Sequence, residues 1–299
     1  MKVFLTGATG YIGSAIADRL RAAGHEVVGL ARSDASAAKL QIAGITAVRG
    51  DFSDPQSVGS AARAADGVIS TATTYNPAVD GPAIDAILDA LAGGNKPFIY
   101  TSGIWSHGDT AGKVVDETSP PRPVELIRWR VEVEDRVLQA RERGIRTVVI
   151  RPAIVYGRGG GIPAGFADSA QKDGAAHYVG TGKNRWPFVH VDDLADLYLL
   201  ALQKAPPGTL LLGVHGPSHS VRQVAEAASR GAGAGGKVAA LPLEQAREKM
   251  GAYADALVLD QQASGKRAQD LLGWRPYRPD VLEDIERGSY RMAIAQTDG

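Results

Sequence analysis

The stretch Met1-Lys-Val-Phe-Leu-Thr-Gly7-Ala-Thr-Gly10-Tyr-Ile-Gly13 decides how the rest of this 299-residue sequence is read. Residues 2–6 are a nearly continuous apolar run, the pattern of a parallel strand buried on both faces. Three glycines follow and lead into a helical pattern over residues 12–23, then a second apolar run over 26–31. Strand, glycine turn, helix and strand at these distances predict a Rossmann dinucleotide-binding unit. Its chemistry belongs to the backbone. Gly7 permits the tight turn, Gly10 lets the main chain approach a pyrophosphate, and Gly13 lets the helix pack closely on the strand. The free N–H groups at the helix start favour the anion.

Outward from this unit the same rhythm continues, with strands predicted at 46–49, 67–71, 97–101 and 147–151 and helices at 55–64, 81–92 and 124–143. Residues 157–187 are rich in glycine and proline and suit loops; 191–202 reads as a helix, 209–214 as a strand and 231–236 as a surface turn. The expected fold is α/β: a Rossmann doubly wound parallel sheet with a smaller C-terminal substrate-binding lobe. Residues 1–155 would form the dinucleotide domain, with 188–215 returning to it, and residues 156–187 and 216–299 the lobe.

Composition narrows the partners. Lysine plus arginine and aspartate plus glutamate each number 33, so no global field favours nucleic acid or an anionic membrane, and a small molecule is the expected partner. With no cysteine there is no disulfide, thiolate nucleophile or cysteine-held metal, so redox chemistry needs a borrowed cofactor. No apolar stretch reaches signal-peptide or membrane-span length, which makes a cytoplasmic protein the expectation.

The end of the second strand decides between NAD and NADP. An NAD site places a carboxylate there, whereas an NADP site offers an arginine. This strand ends Leu30-Ala-Arg32-Ser33, nineteen residues separating Arg32 from Gly13, so NADP(H) is expected; Asp34 lies past the strand end. Asp51, in Val48-Arg-Gly-Asp51-Phe52, suits either an adenine contact or an ordinary turn.

Five ordered motifs resemble the extended short-chain dehydrogenase/reductases, also called the NAD-dependent epimerase/dehydratase family. They are Thr6-Gly-Ala-Thr-Gly-Tyr-Ile-Gly13, Phe98-Ile-Tyr-Thr-Ser-Gly103, Arg151-Pro-Ala-Ile-Val-Tyr-Gly157, Phe188-Val-His-Val-Asp-Asp-Leu-Ala195 and Leu271-Leu-Gly-Trp-Arg-Pro276. The resemblance implies NAD(P) across the strand ends, Ala72 and Thr73 against the cofactor, Pro152 near the nicotinamide, and often a homodimer. The candidate cofactor set is then Gly7, Thr9, Gly10, Tyr11, Ile12, Gly13, Arg32, Ser33, Asp51, Phe52, Ala72, Thr73, Arg130 and Pro152. Two stripes on the helix at 124–143, one of Trp129, Val133, Val137 and Ala140 and one of Ile127, Val131 and Leu138, suit one face on the sheet and one on a second copy.

The resemblance fails where such proteins do their chemistry, with a serine or threonine, a tyrosine and a lysine four residues after the tyrosine. None of the nine tyrosines has a lysine at that spacing. Alignment puts Leu126 at the tyrosine position, Arg130 at the lysine position and Gly103 at the serine position, with Ser102 just before it. Arg130 could hold the dinucleotide but is a poor proton donor. Candidate replacements are His107 first, with Ser106 beside it after the fifth strand, then Ser102, with Tyr75 and Tyr156; histidine titrates near neutral pH. His190, Asp192 and Asp193 suit a strand-to-helix connection with an aspartate N-cap better than a metal site, and no metal is expected. Sugar-nucleotide enzymes of this kind use lobe arginines for the diphosphate. Here Trp186 takes that place and Arg185 is displaced by one, which leaves an aromatic pocket from Tyr75, Trp105, Tyr156, Phe166, Tyr178 and Trp186 for a small carbonyl compound. Three functions fit: an NADP(H)-dependent oxidoreductase on a small carbonyl or alcohol with a non-standard proton donor, a non-catalytic NADP(H)-binding sensor or structural protein, or a redox-neutral epimerase/dehydratase.

Overall fold

A computed structural model describes residues 1–291. Strands β1 (Lys2–Thr6), β2 (Glu26–Ala31), β3 (Thr46–Arg49), β4 (Gly67–Ser70), β5 (Pro97–Thr101), β6 (Arg146–Pro152) and β7 (Thr209–Gly213) form one sheet in the order β7-β6-β5-β4-β1-β2-β3. Every neighbouring pair is parallel. The order reverses between β1 and β4, and the crevice beyond the strand ends at such a reversal is where doubly wound sheets bind ligands. Helices α1 (Tyr11–Ala22) and α7 (Val191–Lys204) cover one face over Leu5, Ile69 and Ile150; α3 (Pro55–Arg63), α4 (Pro77–Leu91) and α5 (Arg128–Gln139) cover the other over Phe4, Phe98 and Val149.

Departures from the sequence expectations have local causes. Helix α2 (Asp34–Ile42) is an addition to them, because it buries only Leu40 and so carries no apolar stripe. Helix α4 starts four residues early, since Asn76 caps it by accepting the Ala78 N–H at 3.0 Å and Pro77 suits a first turn. Residues 125–143 are a 3₁₀ turn, α5 and a second 3₁₀ turn. The region expected to be loop contains α6 (Ala164–Asp173) and a strand, Ala176–Val179, paired in parallel with Val238–Leu241. With α8 (Val221–Gly231) and the helix Val281–Arg287 these enclose a second core around Phe166, Tyr178, Trp186 and Ile285.

Neither stripe of the 124–143 segment is left bare. Val133, Val137 and Ala140 are buried against the sheet, Trp129 and Leu138 pack partly buried on the same cluster, and Ile127 is buried. Ion pairs tie α4 to α5 and to the 3₁₀ turn that follows it, Arg136 to Asp85 at 3.1 Å and Arg143 to Asp89 at 2.8 Å.

The residues at the start of α7 serve the fold. His190, and neither aspartate, is the N-cap: its Nδ1 accepts the Asp192 N–H at 3.1 Å. Asp192 pairs with Arg158 at 2.7 Å. The buried Asp193 carboxylate accepts the backbone N–H groups of Tyr277 and Arg278 at 3.2 and 3.1 Å, while Trp274 Nε1 donates to its carbonyl at 2.8 Å. Among the described residues no helix is long and apolar enough to cross a membrane.

The glycine unit sets a steric test. A Cβ on Gly13 would sit 2.0 Å from the Gly7 carbonyl oxygen, whereas one on Gly165 in α6 meets nothing within 4 Å. Gly13→Ala should destabilise by about 1–3 kcal/mol or more, and Gly165→Ala should stay within about 1 kcal/mol of the parent, on the stabilising side. Urea unfolding of both variants checks this; an equally tolerant Gly13 would refute the close packing.

Candidate active site

At the switch point the backbone itself forms a cradle. Gly7 has φ +73°, and a Cβ there would lie 2.6 Å from Thr71 Oγ1 and 2.9 Å from the Ala72 nitrogen. Gly10 caps α1 without a side chain to occupy the first-turn amides, and Thr9 beside it is exposed. Free amides at a helix start, reached over glycines, fit the diphosphate of a dinucleotide. Ala72 and Thr73 form the opposite lip, where Thr73 Oγ1 donates to the buried Asp80 at 2.6 Å. Beyond β2, Arg32 is exposed and makes no ion pair or hydrogen bond with a described residue, while Asp34 is engaged by Arg49 across the neighbouring strand end. Ser33 is the N-cap of α2, accepting the Ser36 N–H at 3.2 Å. Asp51, beside the half-buried Phe52, closes its own turn: Oδ1 accepts the Ser53 N–H and hydroxyl, both at 2.8 Å. Those bonds hold its carboxyl below the usual range.

From the cradle a cleft of about 220 Å³ runs between sheet and lobe, with Tyr11, Ile12, Tyr75, Ser102, Arg130 and Pro152 on its walls. Arg130 is buried, donates to the Thr101 carbonyl at 2.7 Å, and keeps its Nε without a partner. The rings of Trp129, Tyr100 and Tyr75 surround its guanidinium at 5.8, 5.9 and 6.0 Å. A buried donor left unpaired costs about 1–3 kcal/mol. Tyr75 is 47% exposed and its backbone has φ +57°, the left-handed region that a tyrosine rarely adopts. Asp80 holds the loop there through Thr74, whose N–H and hydroxyl it accepts at 2.9 and 2.6 Å. Such strain persists only where the surroundings impose it, and it clusters at functional sites.

The cleft floor is a buried polar network. Glu134, from α5, forms an ion pair with Arg151 at the end of β6, both nearly inaccessible. Its other oxygen accepts the Ser102 hydroxyl and, at 3.0 Å, the Ser106 hydroxyl. An arginine only donates, so His107 Nε2 accepts from Arg151 Nη1 at 3.0 Å and the ring proton sits on Nδ1, which has no partner.

This arrangement sorts the four candidates for proton transfer. Ser102 and Tyr75 line the cleft. His107 does not: it is 2% exposed, lies behind the floor, and faces a different cavity beside Thr110 and Arg122. Burial, then the Arg151 charge, push its pKa down to about 4, so the neutral-pH acid expected from the sequence is an uncharged acceptor instead. Tyr156 is also turned away. Its hydroxyl donates to the Pro279 carbonyl at 2.6 Å, its ring stands edge-on to His190, and burial raises its pKa. Sequence reading named Ser106 beside His107 and placed Glu134 on one helix face with Arg130, but gave neither Glu134 nor Arg151 a role in the cleft. The available signal was a charge at the end of an apolar strand and another on the sheet-facing side of α5.

The glycine-rich loop after β6 is fastened over the cradle. Tyr11 donates to the Gly157 carbonyl at 2.7 Å; Tyr290 accepts the Gly157 N–H at 3.0 Å and donates to the Gly160 carbonyl at 2.6 Å.

Known proteins share this architecture. A family model described as the NAD dependent epimerase/dehydratase family matches residues 3–213. An uncharacterized protein of Schizosaccharomyces pombe is 33% identical, over 97% of this chain and 100% of its own. A 2-alkyl-3-oxoalkanoate reductase of Stenotrophomonas maltophilia is 27% identical over 71% of this chain and 68% of its own. In fold, the UDP-glucose 4-epimerase of Thermus thermophilus, solved in complex with NAD, superposes with a TM-score of 0.80 at 24% identity, over 98% of this chain and 100% of that one.

The neutral His107 has a consequence for stability. Between pH 6.5 and about 4 the unfolded chain binds a proton at residue 107 that the folded chain refuses. Its contribution therefore makes stability fall as pH falls through that window, by about 3 kcal/mol in all, and is flat above it. His107→Gln should be less acid-sensitive than the parent by that amount, measured by urea unfolding from pH 7 to 4. Parallel curves would place the proton elsewhere.

Proposed function

Because the chain belongs to the NAD-dependent epimerase/dehydratase family, we propose that it is an NADP(H)-dependent oxidoreductase acting on a small carbonyl compound or its alcohol. One observation carries this reading: Tyr75 and Arg130 stand together in the cleft beside the glycine cradle, a phenol and a fixed cation in a chain that has leucine and arginine at 126 and 130. NADP(H), when bound, supplies or accepts the hydride.

The first-turn amides of α1 would hold the diphosphate, and Arg32, exposed and without an ion pair or hydrogen bond to a described residue, would meet the 2′-phosphate; Asp34 is paired with Arg49, and the Arg32 charge already acts on Asp51. In reduction, the Tyr75 hydroxyl would give its proton to the carbonyl oxygen of a substrate in the cleft, and the Arg130 guanidinium would oppose the negative charge left on the phenol oxygen. Solvent returns the proton, since Tyr75 is half-exposed. Ser102 is unsuited to donate, because Glu134 already accepts its hydroxyl proton; its lone pairs can orient a substrate hydroxyl. The reductase name of the Stenotrophomonas relative supports the reading. A chain that binds the dinucleotide without turnover is the second reading, favoured by Leu126 in place of the tyrosine.

Calorimetry should find NADP⁺ bound at least about tenfold tighter than NAD⁺, a margin lost in Arg32→Ala, as expected for a charged hydrogen bond of about 1.5–3 kcal/mol. Equal affinities in the parent chain would remove the arginine's role. A panel of aldehydes and ketones with NADPH, followed by nicotinamide absorbance, tests the chemistry. On a substrate so found, Tyr75→Phe should lower kcat by about 10²–10⁴ and leave NADPH affinity unchanged. Full activity in that variant would exclude Tyr75 as the donor, and no turnover on any carbonyl would favour the binding protein.

A further inference from the structure

Next to the cleft, the lobe encloses a second cavity of about 460 Å³, walled by Phe166, Tyr178, Trp186, Tyr253 and Leu257. Gly161 and Ile162 line both spaces, and Trp105 of the cleft meets Tyr253 of the cavity edge-on at 5.6 Å and 74°. Phe166 stacks on Trp186 at 6.1 Å, which fixes an aromatic wall. Among the described residues no lysine or arginine lines the cavity. Arg185, next to Trp186, sends its guanidinium to the Ser218 carbonyl, and His177 at the rim faces Asp173 at 3.6 Å. A diphosphate would find no counter-charge here, and burying it unpaired is strongly unfavourable. Its polar side chains are Tyr178, Tyr253 and His177, while the Trp186 indole N–H is itself buried.

We propose that this cavity binds the apolar portion of the substrate, an unphosphorylated alkyl or aryl carbonyl compound whose tail lies against Phe166 and Trp186. The inference rests on the reductase reading and names the substrate class for that site. Chain length becomes the specificity determinant, because each methylene moved from water into the cavity gains about 0.8 kcal/mol, or about fourfold in affinity. Gly165 lines the cavity and has open space around its Cβ position, so Gly165→Leu fills the cavity without straining the backbone.

Two measurements test the proposal. KM for straight-chain aldehydes with NADPH should fall about fourfold per added methylene from butanal upward until the cavity is full. Separately, 2-undecanone should change tryptophan fluorescence with no cofactor present. Gly165→Leu should keep the parent's melting temperature while losing both the length dependence and the fluorescence response. Aldehydes reduced with a KM that ignores length would overturn the cavity's role and leave the reductase reading standing. No reduction, together with 2-undecanone binding that Gly165→Leu abolishes, would uphold the cavity and overturn the reductase reading. Absence of both responses overturns the cavity proposal.

Discussion

The buried ion pair between Glu134 and Arg151 is the constraint on which the cleft depends. It joins α5 to the end of β6, and through Ser102, Ser106 and His107 it also fixes the chain leaving β5. Two charges in so dry a place persist because hydrogen bonds satisfy their remaining atoms; removing one partner from such a pair costs about 3–5 kcal/mol. Apolar replacement of such a pair is often neutral or stabilising, but here the cleft floor would lose the carboxylate that orients Ser102. The pair is better understood as a positioning device than as a source of stability.

Above that floor, charge is arranged by contrast. Arg130 is enclosed by three aromatic rings with one donor idle, whereas the lobe cavity beside it has no cation on its described walls. A ligand spanning both would need a polar head and an apolar body. The strained Tyr75 lies where the two environments come within reach of each other, held by a loop that a buried aspartate ties down.

The sheet was legible in the sequence because parallel strands buried on both faces read as apolar runs, and all seven lie where those runs fall. The glycine unit was legible because its residues are consecutive. Helix α2 was not, since a segment of alanine and serine that buries a single leucine has no periodic signal. Helix α8, which buries Val221, Val224, Ala225 and Ala228, does carry such a stripe and could have been read. In the cleft, Tyr75 and Ser102 emerged as candidates because each follows a strand end at the crevice. Placing His107 failed because a 3₁₀ turn, Ile104–His107, rotates it behind the floor, and a rotation of that kind leaves no trace in residue spacing. Glu134 and Arg151, seventeen positions apart, meet only once helix and strand are docked.

Tyr290 sets a schedule for the growing chain. The loop it fastens is complete at Gly160, yet the hydroxyl that closes it comes 130 residues later. At about 5–20 residues per second, a ribosome needs roughly 7–26 s to supply it. Through that interval the sheet can assemble around β1, while the mouth of the cleft lacks its latch and the lobe core lacks Ile285 and Tyr290. A nascent chain therefore presents this loop unlatched to ligands, proteases and chaperones until Tyr290 emerges.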